Sequence, residues 1–260
     1  MNWKKYLRIS FWLGLFLCTI VLTGFINHNL SNEKCKEVII NIEDENHLEF
    51  INEGDILDLL NKEFHTPISQ KIGEINTFEI EKRLNNHQAV EDAQVYISID
   101  RSLWINIKQR CPVVRVFSGK YSFYIDDNGE IMPTSPKYTS RVPIASGHIG
   151  LNPNQIVGLE KSSEEIPKLY DDLLKLSLFI QKDPLWKAQI EQLYVNKDSE
   201  FELIPRVGNH TIVLGEVNDL ERKFEKLKLF YSLGLSKTGW NEYKTINLKF
   251  KNQVVCTKRY

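Results

Sequence analysis

Hydrophobic and polar positions divide this chain of 260 residues into an apolar N-terminal block and two strand-bearing regions behind it. From Phe11 to Ile26 no residue is charged, and with Leu7 and Ile9 the apolar stretch reaches about the 20 residues that a spanning helix needs. Lys4, Lys5 and Arg8 precede it and no basic residue stands just after, which places the N-terminus in the cytoplasm and the rest outside. Asn27, His28, Asn29 and Leu30 do not make a small-residue cleavage site. The pattern therefore predicts a cytoplasmic tail over 1–10 and an uncleaved transmembrane signal anchor over 11–30, with Phe11, Leu15, Val21 and Ile26 in the lipid bilayer. No lipobox precedes Cys35.

Behind a polar tether, Ser31 to Lys36, the alternation of Val38, Ile40 and Ile42 predicts a first strand. Gly54 and Asp55 open a helical run through Ile56, Leu59, Leu60 and Phe64 that Pro67 stops. A second helix is expected from Thr77 as N-cap, with Phe78, Ile80 and Leu84 facing inward. Ala93, Val95, Ile97 and Ile99 then share one side of a strand, and Leu103, Ile105 and Ile107 one side of the next, so the pair reads as a hairpin with a common apolar face. Pro112 closes that unit.

New strands follow over Val113 to Phe117 and Tyr121 to Ile125, with Asp127, Asn128 and Gly129 turning into Glu130, Ile131 and Met132. Residues Lys137 to Ser163, rich in Pro, Ser, Gly and Asn, read as irregular. Ile166, Leu169, Leu173, Leu176 and Ile180 restore a helical period over Ser163 to Gln181, capped by Ser163 or Ser162 with Glu164 and Glu165 in the first turn. Strands are expected at Ile190 to Val195, Phe201 to Pro205 and Thr211 to Leu214, with Gly208 and Asn209 as a turn. A helix over Asp219 to Leu233 puts Leu220, Phe224, Leu227 and Tyr231 on one face and Lys223, Lys226 and Lys228 elsewhere. A last strand runs from Thr245 to Phe250, with Val254 to Cys256 close behind.

Composition removes several function classes. With 33 basic and 34 acidic side chains the chain carries no field that would attract nucleic acid. The four cysteines, Cys18, Cys35, Cys111 and Cys256, are too far apart for a zinc site or a disulfide framework, and free thiols are expected, a Cys35 to Cys111 bridge staying open. Six histidines (His28, His47, His65, His87, His148 and His210) fall in loops and helix ends without a metalloprotease spacing, where surface or capping roles are the default. Asp126, Asp127, Asn128 and Glu130 fail the calcium-loop spacing and read as a hairpin turn. Asn209, His210 and Thr211 form a sequon that reads as a turn. No nucleophile elbow, phosphate loop or dinucleotide fingerprint occurs, and Glu53 with Asp55, or Glu164 with Glu165, lack a partner that would make them an acid–base pair. No catalytic residue, cofactor or metal ligand is therefore expected, and the chain does not read as an enzyme.

Gln109, Arg110, Cys111, Pro112, Val113, Val114, Arg115 and Val116, then Tyr124, Ile125, Asp126, Asp127, Asn128 and Gly129, then Val142, Pro143 and Gly147, resemble the motif series of the FtsQ/DivIB bacterial cell-division proteins. The usual joint reads Glu-Arg-Xaa-Pro-Val-Ala, so Gln109 and Val114 depart from it. The resemblance implies an α+β protein: an N-terminal transmembrane helix, a POTRA domain of β-α-α-β-β order over 35–110, and a mainly antiparallel β domain with flanking helices over 111–260. The order read from the residues agrees with the first of these domains.

The family's C-terminal strand usually reads Asp-Leu-Arg-Tyr and ends in a sheet edge to which FtsB adds a strand; here it stands as Asn247, Leu248, Lys249 and Phe250. The resemblance thus implies partner binding through Leu248, Phe250, Asn252, Val254, Val255 and Thr257. Residues alone favour an ordinary edge whose Lys249 and Lys251 discourage pairing. By resemblance the function is a non-catalytic divisome scaffold at the septum of the inner (cytoplasmic) membrane, its C-terminal domains periplasmic, recruiting FtsB and FtsL. The alternative is a POTRA-bearing module of protein translocation or outer-membrane assembly.

Overall fold

The computed structural model describes residues 3–43, 48–64, 67–156 and 167–259, with the side chains of 4–9 and 22–30 outside the description. The chain divides into two units between Gln109 and Arg110.

The first unit begins with helix α1, Trp3–Asn32. The apolar side chains from Phe11 to Val21 are described, and Ile26 lies outside the described side chains. Among the described residues no helix is long and apolar enough to cross a membrane, so the expected spanning segment has no support there. Strand β1, Glu37–Glu43, is followed by helices α2, Glu53–Glu63, and α3, Thr77–Asn85, with a single 3-10 turn, Ile72–Glu74, between them. Strands β2, Val90–Ile97, and β3, Ser102–Gln109, form the hairpin. The sheet order is β1-β3-β2, with β1 parallel to β3.

Local chemistry explains these elements. Asn52 caps α2 reciprocally with Asp55, the two backbone N–H groups donating to the opposite side chain at 3.0 and 3.1 Å. Ile56, Leu60, Ile80 and Leu84 pack on Ala93, Val95, Leu103, Ile105 and Ile107 as one apolar core. Two expectations are corrected at α3: Asn76, not Thr77, is the cap, accepting from Glu79 N–H at 3.2 Å, and Phe78 is 69 % exposed because, two residues before the buried Ile80, it falls on the opposite side of the helix. Ile99 is likewise exposed, since β2 ends at Ile97 and the residue lies in the hairpin turn.

The second unit holds β4, Pro112–Ser118; β5, Tyr121–Asp126; β6, Ile131–Pro133; β7, Ile144–Gly147; α4, Pro153–Ile156; α5, Lys168–Lys182; α6, Pro184–Gln189; β8, Ile190–Val195; β9, Phe201–Pro205; β10, Thr211–Gly215; α7, Leu220–Phe230; β11, Tyr243–Asn247; and β12, Val255–Lys258. They form one nine-stranded sheet in the order β12-β11-β10-β9-β8-β7-β4-β5-β6. Five of its eight contacts are antiparallel, and β4–β7, β7–β8 and β10–β11 are parallel. Leu173, Leu176 and Ile180 of α5 join Trp186 of α6 and Phe224 and Leu227 of α7 in a single core with the strands.

The stretch read as irregular therefore contains β7, which lies between β4 and β8, and the short α4. Helix α5 starts at Lys168; the expected caps Ser162 and Ser163, with Glu164, Glu165 and Ile166, lie outside the described residues, as do His47, His65 and the side chain of His28. The Asp-Asn-Gly turn is present, Gly129 at φ 82° supplying the left-handed residue it needs. Tyr170 of α5 donates to the Gly129 carbonyl at 2.5 Å and ties that turn to the core. All four cysteines are free thiols.

Candidate partner-binding edge

The predicted last strand ends early. β11 stops at Asn247, and Leu248 to Phe250 leave the sheet in a turn that returns as β12. Three side chains hold the turn. Asn247 Oδ1 accepts from Lys249 N–H at 2.9 Å, which bends the chain. Lys226 Nζ donates to the carbonyls of Leu248 at 3.1 Å and Phe250 at 2.6 Å. Arg222 Nη2 donates to the Lys251 carbonyl at 2.5 Å and to Asn252 Oδ1 at 3.3 Å. Carbonyls committed to α7 are not available to a neighbouring strand.

The edge of the sheet is accordingly β12. It pairs antiparallel with β11 through Thr245↔Thr257, Ile246↔Cys256 and Asn247↔Val255, and no described strand flanks its other side. Leu248 N–H donates to Val213 on β10 at 2.9 Å, so by alternation Thr245 and Asn247 direct their backbone groups to β12. Arg259 N–H donates to Glu242 at 2.9 Å, which gives the same phase from the other strand. Val255 and Thr257 thus bond inward, and the N–H and C=O of Cys256 and Lys258 point to the open side.

The six expected contact residues separate in this geometry. Leu248 is fully buried and belongs to the core, a correction to its expected place on the binding surface. Phe250, expected on the buried side of a strand, is 45 % exposed on the turn. Asn252 is exposed and accepts from Arg222. Val254 packs on the core edge, while Val255 and Thr257 are exposed side chains of β12 itself. Thr257 completes a row with Thr245 and Thr211 across three strands.

Electrostatics around the edge are basic. Residues 248–259 contain Lys249, Lys251, Lys258 and Arg259 and no acidic residue. Lys249 pairs with Glu200 at 2.6 Å, and Lys258 lies 3.5 Å from Glu242. Burial, with Arg222 beside it, holds the Lys226 ammonium below its ordinary value, and burial pushes the Cys256 thiol up.

Other edges differ. On β2 the outward N–H and C=O of Ala93 are both taken by Asn85 of α3, at 2.8 and 3.2 Å, and Val95 N–H donates to Glu81 at 3.0 Å. Side chains of one helix thus occupy the edge where another strand would add. β6 is three residues long and ends in Pro133.

Several structural residues escape a reading of periodicity. Lys223, placed off the apolar face, is buried with Nζ donating to the Glu216 carbonyl at 2.8 Å and Asn218 Oδ1 at 2.7 Å. His210, expected at the surface, is buried with Nε2 3.0 Å from the Tyr231 hydroxyl. The like charges of Arg222 and Lys226 four residues apart were the available signal for the turn contacts, because that spacing is unfavourable on a helix unless both find other partners. Among the described residues no group of three or more His, Cys, Asp or Glu side chains could hold a metal ion.

Comparison with known families matches residues 111–257 to the family described as FtsQ/DivIB, C-terminal related, and residues 33–108 to the POTRA-like domain. The first match alone spans more than half of the chain. A search of curated proteins finds no match.

Proposed function

The chain belongs to the FtsQ/DivIB family, and from that premise we propose that it is a non-catalytic divisome scaffold that recruits FtsB and FtsL counterparts by strand addition at β12. The observation that carries the proposal is the open side of β12, where Cys256 and Lys258 offer unpaired backbone groups in register. Each added main-chain hydrogen bond contributes about 0.5–1.5 kcal/mol net, so four or five give useful affinity with little side-chain matching. The basic composition of residues 248–259 favours an acidic partner segment.

Membrane attachment through α1 is part of this reading. Phe11, Trp12, Leu13, Leu15, Phe16, Leu17, Ile20 and Val21 are all exposed, on every side of the helix. A helix that is apolar all round requires an apolar surrounding, and a bilayer at the septum supplies one. For the translocation alternative, a module that holds extended chains needs an open edge; α3 occupies that of β2, and β1 is the edge such a reading would use.

The test is calorimetric titration of the chain with the periplasmic segments of the FtsB and FtsL counterparts from the same organism. Saturable binding that Lys258→Pro abolishes is expected, since proline removes an outward N–H while the inward bonds of Thr257 and Arg259 remain. Binding untouched by Lys258→Pro would place the surface elsewhere. No binding at high micromolar concentration would refute the recruitment reading.

A further inference from the structure

We infer that Arg222 and Lys226 are positioning residues for strand addition: by holding the carbonyls of Leu248, Phe250 and Lys251 and the side chain of Asn252, they set where the β12 template begins and keep it in register. The inference rests on the strand-addition reading above and adds two residues that lie outside the edge itself.

The argument starts from how short the hairpin is. β12 has four residues and is joined to β11 by a connection of seven, 248–254. An unsupported loop of that length leaves a terminal strand free to fray or slip, because an edge strand is paired on one side only. Here the loop is not unsupported. Lys226 reaches two carbonyls on alternate residues, Leu248 and Phe250, and Arg222 reaches the next carbonyl, Lys251, and the Asn252 side chain. Four acceptors on consecutive or alternate residues are therefore gathered by two cations one helical turn apart.

Neither cation has a carboxylate partner among the described residues, so both are committed to the turn. The helix that carries them is anchored by Phe224 and Leu227, which are buried on the same helix. Movement of the turn is thus referred to the core. The contacts end at Asn252, and the first outward backbone group of the template follows at Val254 by the alternation established for Cys256 and Lys258. A partner strand consequently meets a template with a defined start rather than a sliding one. Ordering the template before the partner arrives removes a cost that binding would otherwise bear.

The experiment compares the full chain with Lys226→Met, which retains the aliphatic stem and removes the donor, and with Lys226→Arg, which restores a donor. Amide hydrogen exchange at Val255 and Thr257 and calorimetric affinity for the periplasmic segment of the FtsB counterpart are measured on each. Lys226→Met is expected to speed exchange at both amides about tenfold while Leu248 N–H, bonded to β10, stays protected. Its affinity is expected to fall about tenfold, with recovery in Lys226→Arg and an unchanged thermal midpoint. Unchanged exchange in Lys226→Met would overturn the inference, and so would faster exchange with undiminished affinity. If the wild-type chain itself failed to bind, the recruitment reading would fall and this inference with it. Wild-type binding that Lys226→Met leaves intact would overturn the inference alone.

Discussion

Arg110 Nη1 lies 2.9 Å from Asp126 Oδ2, and the Asp126 side chain is fully buried. The same carboxylate accepts from Asn128 N–H at 3.0 Å and from Glu130 N–H at 2.6 Å, so one buried acid organises the strand before the Asp-Asn-Gly turn and the residue that opens the second unit. Removing the cation strands a buried charge. Arg110→Met is expected to destabilise the second unit by about 3–5 kcal/mol in chemical denaturation. Burial pushes the Asp126 carboxyl above its ordinary value. A group raised in this way favours the folded state when protonated, so the deficit of Arg110→Met narrows as pH falls toward about 4, and a deficit independent of pH would contradict it.

His210 should make the second unit sensitive to acid. Burial holds its imidazole below the ordinary value, which favours the neutral form in the folded chain. The unfolded chain binds the proton first, so stability is complete above about pH 6.5 and is lost as pH falls below it. Trp186 and Trp240 lie 5.9 and 5.0 Å from Tyr231, the hydrogen-bond partner of His210, and their fluorescence reports this unit. His210→Gln retains a hydrogen bond to Tyr231 and is expected to flatten the dependence between pH 7.5 and 5.5; an equally steep profile would refute the assignment.

Leu248 and Phe250 should behave oppositely although both belong to the family's strand pattern. Leu248→Ala removes a buried side chain and is expected to cost about 2–5 kcal/mol of stability. Phe250→Asp changes an exposed position and should leave stability within about 0.5 kcal/mol. Binding to the partner segments separates them further, because only the second variant should weaken it with the fold intact. Equal thermal shifts in the two would show that Phe250 is part of the core.

Gly147 should not tolerate alanine. Its φ is 102°, and a Cβ there would sit 2.2 Å from the Val195 carbonyl on β8. Strain and overpacking together are expected to cost roughly 2–6 kcal/mol, read as a lowered denaturation midpoint. A neutral substitution would mean that β7 can shift away from β8.

Much of the fold is legible in periodicity. Ile190–Val195 and Phe201–Pro205 appear with the boundaries that alternation predicts, and the β2–β3 hairpin keeps its expected apolar face through Ala93, Val95, Leu103, Ile105 and Ile107. β7 is not legible for a physical reason. It has four residues, its larger side chain Ile144 is 38 % exposed, and its small Ala145 is the buried one. Its strand character comes from β4 and β8 on either side, which local sequence does not report. The candidate edge was legible by position and not by register. Ile246, Leu248 and Phe250 continue an alternating pattern past the residue where Lys226 draws the backbone out of the sheet. Burial of Lys223 and His210 also depends on contacts from Asn218 and Tyr231, distant in pattern though near in space.

The narrow β7 also decides how the second unit responds to tension. A partner pulling on β12 loads every strand of the sheet in series, and the load is shared least where the fewest positions are paired. That place is the contact of β7 with β4, which has two paired positions, Arg115↔Ile144 and Val116↔Ala145, supplemented by Arg115 N–H on the Pro143 carbonyl. On its other flank β7 meets β8 at four positions. Tension applied across the sheet from β12 would thus meet its fewest paired positions between β4 and β7.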